Sequence, residues 1–134
     1  MPGAPEMTLS YPQFDDDGDG GSRLTTVELA QHPTDLGPGL PPMLSTIPVE
    51  AVSLQFVDLF AGMTIPSHPA PARQFVVVLR GVIEAETTSG ETLRLRAGDV
   101  GLAADIRGGH ITRVIEPPVR LLFAVLPGSG PHPA

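Results

Sequence analysis

The 134-residue chain is long enough for one domain built around one hydrophobic core. Its formal net charge of -7 argues against the basic surface that a nucleic acid or an anionic membrane needs in a partner. The absence of cysteine excludes a disulfide framework, a thiolate zinc site and a cysteine nucleophile. With 16 prolines and 15 glycines, the composition favours short strands joined by turns over long helices.

The N-terminal segment, residues 1–22, is polar and rich in turn-forming residues. This segment lacks the pattern of a secretory signal. No apolar run in the chain is long enough for a membrane span. We therefore expect a cytoplasmic protein. Residues 15–21 (DDDGDGG) share the initial spacing of an EF-hand calcium loop. However, Thr26 occupies the twelfth position, where Glu is required, and Ser22 occupies an apolar position. We therefore interpret this run as a solvated acidic turn.

The next segment divides into a strand and an arm. Residues 23–30 could form a strand or a short helix, and their Thr and Val content favours a strand at the edge of a barrel. Residues 32–48 are rich in proline and predict an extended arm over the surface. Because an edge strand and an arm both need a surface to lie on, we predict a homodimer with residues 23–48 at its interface.

The compact part of the chain is predicted at residues 49–128, between the N-terminal segment 1–48 and a C-terminal tail, 129–134. Val52, Leu54 and Phe56 alternate with polar residues, which predicts a half-buried strand. Residues 75–79 are continuously apolar, which predicts a strand covered on both faces. Turns at 105–109 and 117–118 separate some of the later strands, and the whole pattern predicts an all-β sandwich or barrel. The remaining predicted strands are 82–87, 91–96, 99–104, 110–115 and 120–126.

Two segments of the compact part have a characteristic spacing. In the first, Gly62 is followed by five residues and His68, and Gln74 is followed by six residues and Gly81. The second begins at Gly98 and ends at His110. These segments resemble the two sequence motifs of the cupin superfamily, and the resemblance covers about residues 49–127.

The resemblance implies an all-β double-stranded β-helix, or jelly roll, in which the motif residues point into the barrel and bind one divalent metal. This sequence departs from the pattern at three positions. Ala70 stands where the second His is usual, Gln74 where Glu is usual, and Val114 where Asn closes the second motif. The turn before His110 is also one residue longer than usual, which a glycine pair can absorb.

The candidate metal ligands are therefore His68, Gln74 and His110. Imidazole nitrogens suit iron, nickel or zinc, and manganese is a further candidate, but a neutral amide in place of a carboxylate weakens the site. Without metal, Gln74 could instead join the two histidines through hydrogen bonds. Strand alternation adds Val76 and Thr112 to the predicted ligand-binding set.

Two functions remain open at this stage. The first is a small-molecule-binding cupin, which could be a metal-dependent lyase, isomerase or oxygenase acting on a small metabolite. The alternative is a metal-free ligand sensor or structural module. Asp105 could act as a base near the barrel mouth, although we favour a role in the turn, and Arg73 is expected to face solvent or a partner. No functional role is expected for His32 or His132.

Overall fold

The computed structural model describes residues 8–128, which form ten strands and no helix. No element in this part of the chain could cross a membrane as an apolar helix. The strands are β1 (Thr8–Asp16), β2 (Ser22–Ala30), β3 (His32–Thr34), β4 (Met43–Ser45), β5 (Ser53–Leu59), β6 (Thr64–His68), β7 (Gln74–Thr87), β8 (Thr92–Arg96), β9 (Val100–Ala104) and β10 (His110–Val125).

The architecture is built on the pairing of the two longest strands, β7 and β10. They run antiparallel, so that Gln74 pairs with Val125 at one end and Thr87 with His110 at the other. The register is irregular between Val114 and Leu121, opposite the bend of β7 at Gly81. The pair therefore folds back on itself, and its two halves contribute to two facing sheets.

The large sheet has the strand order β2-β1-β9-β7-β10-β5, and the small sheet has the order β8-β7-β10-β6. Neighbouring strands are antiparallel except β1 and β9, which are parallel. This two-sheet arrangement confirms the predicted all-β jelly roll. The β3–β4 hairpin forms a separate two-stranded sheet within the predicted arm.

The main hydrophobic core fills the end of the barrel where β7 and β10 bend. Val78 and Val119 lie at its centre and are almost completely buried. Both strands supply apolar side chains from either side of the bend, so the core joins the two sheets. Its other buried members are Leu59, Ile83, Leu95 and Leu121.

Two pairs of predicted strands are each one continuous strand. The segments predicted at 75–79 and 82–87 are both parts of β7, and those at 110–115 and 120–126 are parts of β10. Gly81 and the Pro117-Pro118 pair bend the strands without ending them, because β10 pairs with β7 on both sides of these residues. The predicted hairpin between β7 and β8 is confirmed, with Leu95 buried and Arg94 and Arg96 exposed.

The orientation predicted for β5 is wrong. Leu54 and Phe56 point away from the barrel and are 59% and 61% exposed, whereas Val57 and Leu59 pack in the core. The alternation of apolar residues was correctly located, but β5 has apolar side chains on both faces. Periodicity alone therefore could not identify the inner face.

The N-terminal segment contributes more to the barrel than its composition indicated. Residues 8–16, predicted to be turn-rich, form strand β1, which pairs with β2 and with β9. The sheet thus extends beyond the barrel segment predicted at 49–128, while the predicted tail, 129–134, lies outside the described residues. The edge position predicted for residues 23–30 is confirmed, since β2 ends the large sheet.

Residues 17–21 of the acidic run form the turn between β1 and β2. The Asp17 carboxylate accepts backbone N–H groups of Asp19 and Gly21, and these hydrogen bonds hold the pKa of Asp17 below its usual value. The turn residues 17–20 are exposed, as expected for a solvated acidic turn. The Asp17 carboxylate therefore stabilises the turn through hydrogen bonds to the backbone of the same turn.

The bend at Gly81 provides a test of the fold. Gly81 has a φ of +79°, and a Cβ there would overlap the carbonyl oxygens of Glu116 and Pro118. We expect Gly81→Ala to lower the free energy of unfolding by about 3 kcal/mol, through left-handed backbone strain and overpacking. Gly90 has a similar φ of +89° but open space around it, so Gly90→Ala should cost only about 1 kcal/mol. Urea denaturation of both variants measures the difference, and equal losses would contradict this account of the bend.

Candidate functional site

A cavity of about 200 Å³ lies between the two sheets, at the end of the barrel opposite the bend. Twelve of its sixteen lining residues are apolar, and the four polar ones are His68, Gln74, His110 and Thr112. All five residues of the predicted ligand-binding set, which also includes Val76, contribute to this lining. An apolar pocket with a few convergent polar groups is typical of a small-molecule site.

The two motif histidines are brought together by pairing between β6 and β10. His68 is the last residue of β6, His110 is the first residue of β10, and the two are register partners. Gly109, with a φ of +69°, permits this approach because a Cβ there would overlap the backbone of His68. The lengthened turn before His110 therefore ends at a position that only glycine fits without displacement of β6.

Asp105 is the residue whose role the sequence analysis underestimated. Its side chain is 0% exposed, and its Oδ2 lies 2.5 Å from His110 Nδ1. Its backbone carbonyl also accepts the N–H groups of Ala70 and Gly109, so the predicted turn role is present as well. The carboxylate fixes the ring of His110 and leaves its Nε2 as the nitrogen available to a ligand. The only signal in the sequence was a lone carboxylate five residues before the motif histidine.

Phe14 was not predicted to be near the site. Its ring stacks on His110 with a centroid distance of 4.4 Å and an interplanar angle of 19°. Phe14 lies on β1 next to Ala103 of β9, and both residues line the cavity. Asp105 and Phe14 thus hold the His110 imidazole by its Nδ1 edge and by one face, which restricts its orientation.

The N-terminal hairpin also holds the loop that precedes His110. The Asp16 carboxylate accepts the N–H groups of Arg107 and Gly108, and the buried hydroxyl of Ser22 donates to the carbonyl of Gly109. Since the loop contains Asp105 and ends at His110, the ends of β1 and β2 position the polar part of the cavity. Residues far apart in the sequence therefore cooperate in forming the site.

The cupin resemblance implies a metal held by His68, Gln74 and His110. His68 Nδ1 lies 2.9 Å from the carbonyl of Pro66, so each histidine has its Nδ1 engaged and its Nε2 free. That orientation suits a metal ligand. However, the third candidate, Gln74, is neutral, and residues 8–128 contain no cluster of three His, Asp or Glu side chains that could hold an ion. Two imidazoles and one weak amide oxygen supply too few strong ligands for a tightly held transition metal.

The other residues considered in the sequence lie away from the cavity lining. Arg73 is exposed, and its positive charge acts on Tyr11, whose pKa is nevertheless raised because burial outweighs that charge. His32 is exposed on β3 and pairs with Ser45 across the small hairpin. His132 lies outside the described residues.

Comparisons with known proteins give limited likenesses. No protein-family profile matches the chain, and no curated protein matches it. Among solved structures, the chain is similar to a conserved protein of unknown function from Streptococcus pyogenes, with 25% identity and a TM-score of 0.44 over 61% of this chain and 70% of that one. It is also similar to the Cnp3 cupin domain of Schizosaccharomyces pombe, with 17% identity and a TM-score of 0.46 over 91% of this chain and 85% of that one. The jelly-roll fold is accordingly assigned from the strand order described above and not from these likenesses.

The Asp105–His110 contact can be tested by removing the carboxylate. We expect Asp105→Ala to lower the free energy of unfolding by about 2–4 kcal/mol, because a buried hydrogen-bonded partner of His110 is lost. The backbone contacts of residue 105 remain in this variant. His68→Ala is the matched control, and since His68 is exposed, it should change stability by less than about 0.5 kcal/mol. Chemical denaturation at neutral pH measures the free energy of unfolding of both variants. An Asp105→Ala protein as stable as the wild type would refute the contact.

Proposed function

We propose that this protein binds a small, largely apolar molecule inside the barrel, and that His110 anchors the polar group of that molecule. The observation that carries the proposal is the His110 side chain, which lines an apolar cavity while its Nδ1 is held by the buried Asp105 carboxylate. A histidine fixed in this way presents one nitrogen, Nε2, in a defined direction. Such preorganisation lowers the entropic cost of binding a polar group.

The size of the cavity limits the ligand. An enclosed volume of about 150 Å³ is enough for benzene in an engineered protein cavity, so about 200 Å³ suits a single-ring or short branched molecule. The walls come from β1 and from β5 to β10, with Ala70 of the loop after β6, and their apolar side chains are aliphatic or aromatic. These walls favour an apolar body through the hydrophobic effect.

The polar residues favour a ligand with one hydroxyl or carboxyl group. His68, Gln74 and His110 are all parts of the two sequence motifs, and Thr112 lies two residues beyond His110 on the same face of β10. Their amide, hydroxyl and imidazole groups can both donate and accept hydrogen bonds. A molecule with a single polar end could therefore be oriented in the cavity without a metal.

Ligand binding without a metal is the alternative function that the sequence left open. The metal-dependent lyase, isomerase or oxygenase reactions would require an ion for which His68, Gln74 and His110 are a poor set of ligands. We therefore propose ligand binding, as in a sensor or carrier, and derive no reaction from the site.

Filling the cavity should abolish binding. Val76 lines the cavity, and Val76→Phe would occupy much of its volume, whereas Leu79→Phe adds the same ring at an exposed position of the same strand. The probes are benzene, phenol and benzoate, added to the full chain in thermal-shift and calorimetric titrations. We expect phenol or benzoate to raise the Tm of the wild type and of Leu79→Phe, but not that of Val76→Phe.

The variant His110→Ala provides a second measurement in this experiment. It should weaken binding of the polar probe at least about tenfold, with little effect on benzene, because one hydrogen bond to the ligand is lost. If no probe binds the wild type, or if Val76→Phe binds as well as the wild type, the barrel is not a binding cavity for this class of ligand.

A variant that carries the usual cupin ligands tests directly whether this cavity can bind a metal. The double variant Ala70→His, Gln74→Glu would provide a third imidazole and a carboxylate at two positions that already line the cavity. We expect this variant to bind one Zn²⁺ or Fe²⁺ per chain, while the wild type purified without chelator holds well under one. Elemental analysis and metal titration measure the difference. Stoichiometric metal in the wild type that is lost in His68→Ala, His110→Ala would establish the metal site and overturn the metal-free proposal.

A further inference from the structure

The cavity has one end that reaches solvent and one end that is sealed. Of its sixteen lining residues, all within the described range 8–128, His68 alone is exposed. At the other end, the lining residues Leu59, Leu95 and Leu121 are buried and belong to the main hydrophobic core. The cavity therefore opens beside His68, and packed side chains close it towards the bend.

The polar lining residues lie at the open end. His68 is the last residue of β6, Gln74 is the first residue of β7, and His110 is the first residue of β10. All three thus lie at strand ends far from the bend at Gly81, and we call them the polar rim. Thr112, two residues beyond His110, is one step deeper in the cavity and is its remaining polar lining residue.

The lining becomes more apolar and more buried with depth. On β7 the inward-facing residues are Gln74 and Val76, which are half-buried, and then Val78, which is 0% exposed. On β10 the half-buried Phe123 is followed towards the bend by the buried Leu121. From Gln74 to Val78 the strand rises about 13 Å. Polarity and exposure therefore decrease together over a depth of about one small molecule.

This gradient determines which end of a ligand enters the cavity first. An apolar group gains free energy when it is buried at the closed end. A polar group placed there would lose its hydrogen bonds to water and would find only aliphatic neighbours such as Leu59, Leu95 and Leu121. At the polar rim, the same group keeps hydrogen-bond partners. The ligand therefore enters with its apolar end first, and its polar end stays at the opening.

We propose that the ligand is a conjugate whose aromatic or short branched acyl group fills the cavity, while an amide or ester bond at the polar rim joins it to a polar part outside the barrel. The proposal rests on the proposed binding of a small molecule in the barrel and adds the chemical class of that molecule. A substituent on the polar end leaves through the opening beside His68, so it does not contact the sealed end.

An amide or ester bond matches the chemistry of the polar rim. The Gln74 side chain can donate to a carbonyl oxygen and accept from an amide N–H, and His110 Nε2 provides a second polar contact. A neutral carbonyl group also needs no counter-charge. This suits a cavity whose lining, within the described part of the chain, contains no Arg, Lys, Asp or Glu.

Two fluorescent conjugates of benzamide test the proposal with the full chain. Both carry the same dye on the same flexible linker, attached to the amide nitrogen in the first and to the para carbon of the ring in the second. We expect the first to bind with a dissociation constant within about threefold of that of benzamide. The second should bind at least about tenfold more weakly, because its linker would have to pass through the sealed end. Fluorescence anisotropy measures both, and displacement of the first conjugate measures benzamide.

Two variants control for binding outside the cavity. Val76→Phe fills the cavity and should bind neither conjugate. Leu79→Phe adds the same ring at an exposed position of the same strand, and it should bind the first conjugate as the wild type does. Circular dichroism and thermal melting verify that both variants are folded.

The possible failures are distinguishable. If phenol or benzamide binds the wild type but the first conjugate does not, the inference is wrong and the proposed function stands. Equal binding of the two conjugates would also overturn the inference, since the opening would then not be confined to the polar rim. If none of these molecules binds, the proposed function itself fails.

Discussion

The pairing of β7 with β10 is the constraint on which the rest of the molecule depends. Each strand crosses the barrel, bends and continues in the opposite sheet, so one ladder of hydrogen bonds joins both layers. The bend requires a backbone without a Cβ at Gly81, because the carbonyls of β10 approach it closely. The closed end of the barrel fills with the hydrophobic core, and the cavity is the space that the two diverging halves leave at the other end.

At that open end, a buried carboxylate determines how the cavity can be used. The Asp105 carboxyl is removed from solvent, and His110 is the hydrogen-bond partner of its Oδ2, while its Oδ1 has no partner among the described residues. The contact requires the loop before β10 to pass close to β6, which Gly109 allows, and it is held from outside by Ser22 and Asp16. The backbone conformation at Gly109, the burial of the Asp105 carboxyl and the orientation of the His110 imidazole thus depend on one another.

Much of this could be predicted from the sequence, because strand alternation and motif spacing are local signals. They placed His68, Gln74 and His110 on one cavity and identified most of the strands. The roles of Phe14 and Asp105 could not be predicted in the same way, since each depends on a contact with a distant segment that no local pattern encodes. The inner face of β5 was missed because periodicity cannot choose between two apolar faces, and that choice is made by tertiary packing.

The parallel pairing of β1 with β9 has a consequence for how the barrel is completed. The first strand of the described chain pairs with one of the last, with Phe14 beside Ala103. Contacts between segments so distant in sequence carry a high cost in loop-closure entropy and slow folding. During synthesis, the N-terminal strand would have to wait for β9 to emerge. The wall of the cavity next to His110 is therefore complete only after β9 has been synthesised.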